Sequence, residues 1–253
     1  MKTARVVLAV LSLLAVYILL RQKPEKLENL TDGVVPDLVI VSSHYNEDLE
    51  WLKSQKSMPY VICSKTLPSP QCDVKVNKGR EASSYLKYII DNWDALPQYV
   101  AFVHGHKTAW HQAYEDLLEV IKCAKYKEHD FISLNHNYED NRRFDEKHPL
   151  FEFWKEHFEP YLNRPMPAYV LHDCCAQFIV ARSRIKANPL EAYKHWYKAT
   201  TEAENDWQVG VWFEYMWHVI FGEPDVVPER ENRDRFDQAC LKKLKPNTGP
   251  RHS

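Results

Sequence analysis

NKGREASSYLKYIIDNWDALPQYVAFVHGHK, residues 77–107, decides the fold class, because it sets a helix and a strand back to back. Ala82, Tyr85, Leu86, Ile89, Ile90 and Trp93 recur at the 3–4 spacing of a single helical face. The run at 99–103 is continuously apolar and of strand length, and it stops abruptly at His104-Gly105-His106.

The same alternation extends in both directions. Residues 38–42 read as a buried strand, and Asn46 to Asp48 can cap a helix whose first apolar residues are Leu49, Trp51 and Leu52. Strands are expected at 60–64 and 72–77. After the quoted stretch comes a helix carrying Tyr114, Leu117, Leu118 and Ile121, then a strand at 130–137. An aromatic helical segment at 151–158, a strand at 175–181 and a helix near 190–198 follow. The last helix is expected at 206–221, capped by Asp206 and stopped by Gly222. Strands alternating with amphipathic helices predict an α/β fold: a mostly parallel central sheet flanked by helices in a single Rossmann-like domain at 37–224. Residues 225–253 are charged and read as a loose polar tail.

The chain has 253 residues, is 45% hydrophobic and carries a net charge of −2. That suffices for a full core and leaves no basic footprint, so nucleic acid is not an expected partner. Residues 6–20, VVLAVLSLLAVYILL, carry no charge, and no small-x-small cleavage site follows. They read as an uncleaved signal anchor, favoured over a cleaved signal peptide, with a cytoplasmic tip at 1–5 and a stem at 21–36. Asn29-Leu30-Thr31 is a glycosylation sequon just past the anchor. The six cysteines read as structural, and Cys63 and Cys72 flank a Pro-containing turn suited to a disulfide. Together these features place the body in the ER or Golgi lumen as a single-pass type II protein.

In open parallel sheets ligands sit beyond the carboxyl ends of the strands. His44, His104, His106 and His136 are all expected at that edge. His104 and His106 share a face if their strand runs on through them, and Gly105 would admit a ligand close to the backbone. The pair is a candidate for metal or phosphate, with His44, His111, His136 or Asp173 as a third metal ligand. Asn77, Gly79 and Arg80 open the helix of the quoted stretch, where free N–H groups and a guanidinium suit a phosphate. Lys107 adds charge.

HYNEDLEWL, the quoted stretch, CCAQFIVARSRI and EYMWHVIFGEP resemble a eukaryotic family described only as a domain of unknown function, over nearly all of 38–224. More distantly, N-x-G-R-E followed by HGHK is similar to a pattern in glycosyltransferases of the rhamnan-synthesis type, and the element order resembles the GT-A fold. The resemblance implies a nucleotide sugar as donor substrate. It places Ser43, Asn46 and Glu47 by the nucleotide, and Gly79, Arg80 and Lys107 by the diphosphate. His104-Gly105-His106 falls where many GT-A enzymes carry Asp-x-Asp, a departure that puts dependence on Mn²⁺ or Mg²⁺ in doubt. Glu214 resembles the acidic position that acts as base, with Asp173 in reserve. The implied function is a secretory-pathway glycosyltransferase acting on a glycan or protein acceptor. A metal-dependent hydrolase using the histidines and a non-catalytic lumenal glycan-binding module are the alternatives. Direct phosphate contact by imidazolium would weaken as pH rises past ~6.5.

Overall fold

The computed structural model describes residues 36–69, 72–135 and 139–249. The expected anchor at 6–20, nearly all of the stem, Asn29 and His136 lie outside the described residues. Within them, no helix is long and apolar enough to cross a membrane.

β1 (Leu38–His44) leads through the short α1 (Glu50–Lys53) to β2 (Tyr60–Ser64). Then follow α2 (Arg80–Asp91), β3 (Tyr99–His104), α3 (Leu117–Cys123), β4 (Phe131–Ser133) and β5 (Glu139–Arg143). A helical stretch comprises α4 (Pro149–Phe153), a wider π turn (Trp154–Phe158) and α5 (Glu159–Leu162). β6 (Tyr169–Asp173) and β7 (Phe178–Ala181) precede α6 (Arg182–Ala187), α7 (Leu190–Glu202), α8 (Asp206–Ile220), α9 (Glu229–Asp234) and α10 (Gln238–Leu241).

The fold is mixed α/β. Its five-stranded sheet runs β2-β1-β3-β7-β4. β2, β1 and β3 are parallel, and β7 is antiparallel to both β3 and β4. Both faces are covered, which is why the strands are apolar runs rather than alternating ones. Val39, Val41, Val100 and Phe102 face a core that includes Tyr85 of α2, Trp196 of α7 and Trp217 of α8. Ile40, Ala101 and Val103 face the opposite layer, with Leu117 and Ile121 of α3 and Leu241 of α10.

Two expectations are corrected, and one pair of strands was not expected. Residues 72–77 form no strand; only an isolated bridge joins Asp73 to Ser64. Cys72 and Val74 are buried while Asp73 and Lys75 are exposed, so the alternation is real. The segment is held by its core contacts and by the Cys63–Cys72 disulfide. β5 and β6 form a separate antiparallel ribbon that the polar EDNRR sequence conceals. The segment after 224 is folded rather than loose: Cys240 is bonded to Cys123, Phe236 is buried, and Arg235 Nη1 lies 2.7 Å from Glu223 Oε2.

Candidate functional site

The carboxyl ends of β1, β2 and β3 open into a cleft of ≈ 250 Å³. Ser43, Glu47, Arg80, His104 and His106, named from the sequence, line it, together with Tyr45, Lys65, Asn77 and Glu81. Four separate chain segments are thus brought to one sheet edge.

Local backbone geometry sets the entry to α2. Gly79 has φ 67° and Arg80 φ 51°, two consecutive left-handed residues. A Cβ on Gly79 would fall 2.0 Å from Thr200 Cγ2, so both space and dihedral require glycine. The Gly79 N–H donates to Asp206 Oδ2 at 2.9 Å, so it is not available to a phosphate, contrary to expectation. Asp206 is therefore a tie to α2, and the α8 cap is Asn205, whose side chain accepts from Gln208 N. Lys65 donates to the carbonyls of Lys78 and Arg80, fixing the same turn from β2. Burial lowers the Lys65 pKa to about 8, with Glu81, Asp206 and Glu47 opposing the shift.

Arg80 runs across α8 at Gly210, where a Cβ would sit 2.9 Å from the arginine stem. Its Nε lies 2.8 Å from Glu214 Oε1 and 3.7 Å from Glu81 Oε2, and its guanidinium is 5.6 Å from the ring centre of Trp207. Burial and the neighbouring Glu81 carboxyl hold Glu214 well above the usual carboxylate range, against the pull of Arg80. On the other side, His104 Nε2 lies 4.0 Å from Glu81 Oε2. Arg80 Nε, Glu81 Oε1, His104 Nε2 and Glu214 Oε1 are buried without an aligned hydrogen-bond partner among the described residues.

His104 is fixed from beneath. Cys174 and Cys175 are disulfide-bonded neighbours, and Cys175 and Ala176 both take positive φ. That turn presents Gln177, whose Oε1 accepts from His104 N and whose Nε2 donates to Asn135 Oδ1. Asn135 donates from Nδ2 to the Cys174 carbonyl, so its Oδ1 faces His111 Nδ1 at 2.9 Å and that nitrogen carries the proton. The His104 ring is 5.5 Å from that of His106 and 5.4 Å from that of His111. Burial pushes His104 well below the ordinary imidazole value and His111 to about 4, so both are neutral at pH 7. For His104, burial therefore works against the imidazolium contact to phosphate that was expected to fade above pH ~6.5.

The remaining predicted residues fall elsewhere. β3 ends at His104, so His106 lies beyond the strand and is exposed. The space over Gly105 is filled by Glu47, whose carboxylate would meet a Cβ at 2.8 Å; Glu47 Oε2 also accepts from Tyr45 N. Lys107 pairs with Asp116 at 2.9 Å, outside the cleft lining, and Asn46 is exposed beside it. His44 bonds Ser64 through Nδ1. Among the described residues no group of three His, Cys, Asp or Glu side chains is set to hold a metal ion.

Asp173 lines a separate small cavity of ≈ 20 Å³ with His172, His218 and Asn232. Burial raises its pKa to about 8, offset by the hydrogen bond from Asn232. Enclosed and protonated at neutral pH, it is not placed as a base for the cleft.

Glu81 and Lys65 were missed as site residues. Glu81 stands in the quoted Asn-x-Gly-Arg-Glu motif, but a first-turn glutamate reads as a solvated helix carboxylate. Lys65 directly follows a strand at the carboxyl edge, which was the available signal.

These features define an α/β protein with a charged cleft at the carboxyl edge of a mostly parallel sheet. Residues 39–234 match the family described as "Protein of unknown function (DUF3431)", and the chain belongs to that family. No curated protein and no solved structure matches the chain.

Proposed function

We propose that this chain is a glycosyltransferase with a GT-A-like fold, moving a sugar from a nucleotide-sugar donor to a hydroxyl of a glycan or protein acceptor. One observation carries the reading: Arg80 and Lys65 stand with Glu81 and neutral His104 in a cleft at the carboxyl edge of the sheet. Transfer of a glycosyl group needs cationic groups for the departing diphosphate and a carboxylate for the acceptor proton. Both kinds of group are present within one cleft. Lys65 takes the part expected of Lys107. Trp207 is 62% exposed beside Arg80 and offers an indole face to a sugar ring.

Three disulfides support an oxidising compartment. With the apolar run at 6–20 and the sequon at Asn29, they favour a type II protein of the ER or Golgi, its body lumenal. A divalent metal remains part of the proposal only as an addition to test.

The test is calorimetry of the purified lumenal body with UDP, GDP and CMP, with and without Mn²⁺, joined to an assay for nucleotide release from sugar nucleotides. Binding of one nucleotide with turnover of its sugar conjugate is expected. Absence of both across the panel overturns the reading.

A further inference from the structure

We infer that Glu81 and His104 form a hydroxyl-binding subsite on the floor of the cleft, and that Glu81 is the group that takes the acceptor proton. The assignment rests on the transferase reading. It differs from that reading's first expectation, which gave the role to Glu214 or Asp173.

The geometry supports it in three ways. First, Glu81 Oε2 and His104 Nε2 are 4.0 Å apart, too far for a direct hydrogen bond. An oxygen at about 2.8 Å from each fits between them. Second, Glu81 Oε1, Oε2's neighbour, and His104 Nε2 are buried without aligned partners, a costly state unless a polar group completes them. Third, Glu81 and His104 line the cleft, whereas Glu214 lines the enclosed cavity behind it. A neutral imidazole whose Nε2 meets a hydroxyl oxygen orients it, and the adjacent carboxylate accepts its proton. Arg80, 3.7 Å from Glu81 Oε2 and 2.8 Å from Glu214 Oε1, positions that carboxylate.

The step balances. The acceptor oxygen forms a bond to the anomeric carbon, the bond from that carbon to the donor phosphate breaks with its electron pair leaving on the nucleotide, and the hydroxyl proton passes to Glu81.

The experiment compares Glu81→Gln with Glu214→Gln, using the sugar nucleotide that wild type turns over. Two acceptors are supplied: water, scored as hydrolysis, and azide, an anionic nucleophile with no proton to remove. Glu81→Gln is expected to lose about 10²–10⁴-fold of the hydrolysis rate while keeping its azide rate and nucleotide affinity. Glu214→Gln should lose at least tenfold less, because Glu214 does not line the cleft and an amide keeps its shape. Equal hydrolysis in Glu81→Gln and wild type overturns the assignment. So does a larger loss in Glu214→Gln, or joint loss of the azide and water reactions in Glu81→Gln, which would make Glu81 a support of fold or donor. Wild type that neither binds nor turns over any sugar nucleotide sinks the transferase reading itself, a separate outcome.

Discussion

Arg80 Nε lies 2.8 Å from Glu214 Oε1, so the left-handed turn that opens α2 meets the middle of α8. The contact joins elements more than a hundred residues apart in the chain. It is close but unaligned, and both atoms lack a directed hydrogen bond. A residue held at positive φ with its side chain in such a contact stores strain of the sort found at working sites.

The first prediction tests that contact. Arg80→Ala should destabilise the fold by about 1–3 kcal/mol, because the Glu81–Glu214 pair loses its cation. In the Glu214→Gln background the same change should cost less, because the close approach of Arg80 Nε to the Glu214 carboxyl is then already altered. Urea unfolding of the four proteins gives the coupling; a coupling near zero would make the Arg80–Glu214 approach incidental.

The second concerns the turn itself. Gly79→Ala places a methyl 2.0 Å from Thr200 Cγ2 at φ 67°. A loss of about 2–4 kcal/mol is expected from overpacking and dihedral strain together. Thr200→Ser removes the clashing methyl and keeps the hydroxyl bonded to Trp196 O. The double variant should recover the steric part and retain about 1–2 kcal/mol of dihedral cost. No recovery would mean that the backbone alone sets the requirement.

How much of this was legible depends on what each residue's neighbours add. β1, β2 and β3 were readable because strands buried on both faces are unbroken apolar runs, as in Leu38–His44. Residues 72–77 misled because burial alternates there without a partner strand. β5 was invisible, since Glu139–Arg143 draws its order from pairing with β6 and not from apolar content. The C-terminal segment hid a buried Phe236 and an Arg235–Glu223 pair among charges. In the site, strand ends pointed to His104 and His106 and a helix start to Arg80, while Ser43 and Glu47 came only from the resemblance; all five line the cleft. It did not reveal that Gly79's N–H is taken by Asp206 or that Glu81 is turned inward, since both depend on α8, far along the chain.

The Cys123–Cys240 disulfide closes 117 residues of sequence and ties α10 to α3. Replacing both cysteines by alanine should cost about 3–5 kcal/mol, by the entropy of a loop that long. The measurement is chemical unfolding with and without reductant. Equal midpoints for variant and wild type would show that the C-terminal packing suffices without the bond.

Asp173 gives a pH signature. Its folded pKa is raised to about 8 by burial, against ~3.9 for the unfolded chain. Between these values the unfolded state has released the proton that the native state keeps, so native stability falls as pH rises. The contribution is full below ~4 and lost by about pH 8. Asp173→Asn removes this dependence and can still bond Asn232. The variant should therefore gain on wild type from pH 4 upward and be the more stable protein above pH 8, by roughly 1–3 kcal/mol. A constant difference across the range would place the carboxyl in contact with solvent.

His111 supplies the opposite signature on the acid side. Its pKa is lowered to about 4, chiefly by burial, while the hydrogen bond to Asn135 pulls the other way. The unfolded chain binds a proton at ~6.5. Below that value the unfolded state holds a proton that the native ring refuses, so stability falls as pH drops from 6.5 toward 4 and is fully present above 6.5. The expected loss is about 3 kcal/mol over that window, at ~1.36 kcal/mol per pH unit. His104 is lowered in the same direction by burial and by the neighbouring imidazoles His111 and His106. His111→Gln keeps a donor for Asn135 and cannot titrate, so its deficit relative to wild type at pH 7 should shrink steadily on acidification. Thermal unfolding of both proteins at half-unit steps from pH 7 to 4 reads this directly. NMR titration of the His111 ring should in parallel show no protonation near pH 6.5. A ring that titrates there would return the His104–His111 pair to a solvated, cationic state and remove the neutral imidazole on which the hydroxyl subsite depends.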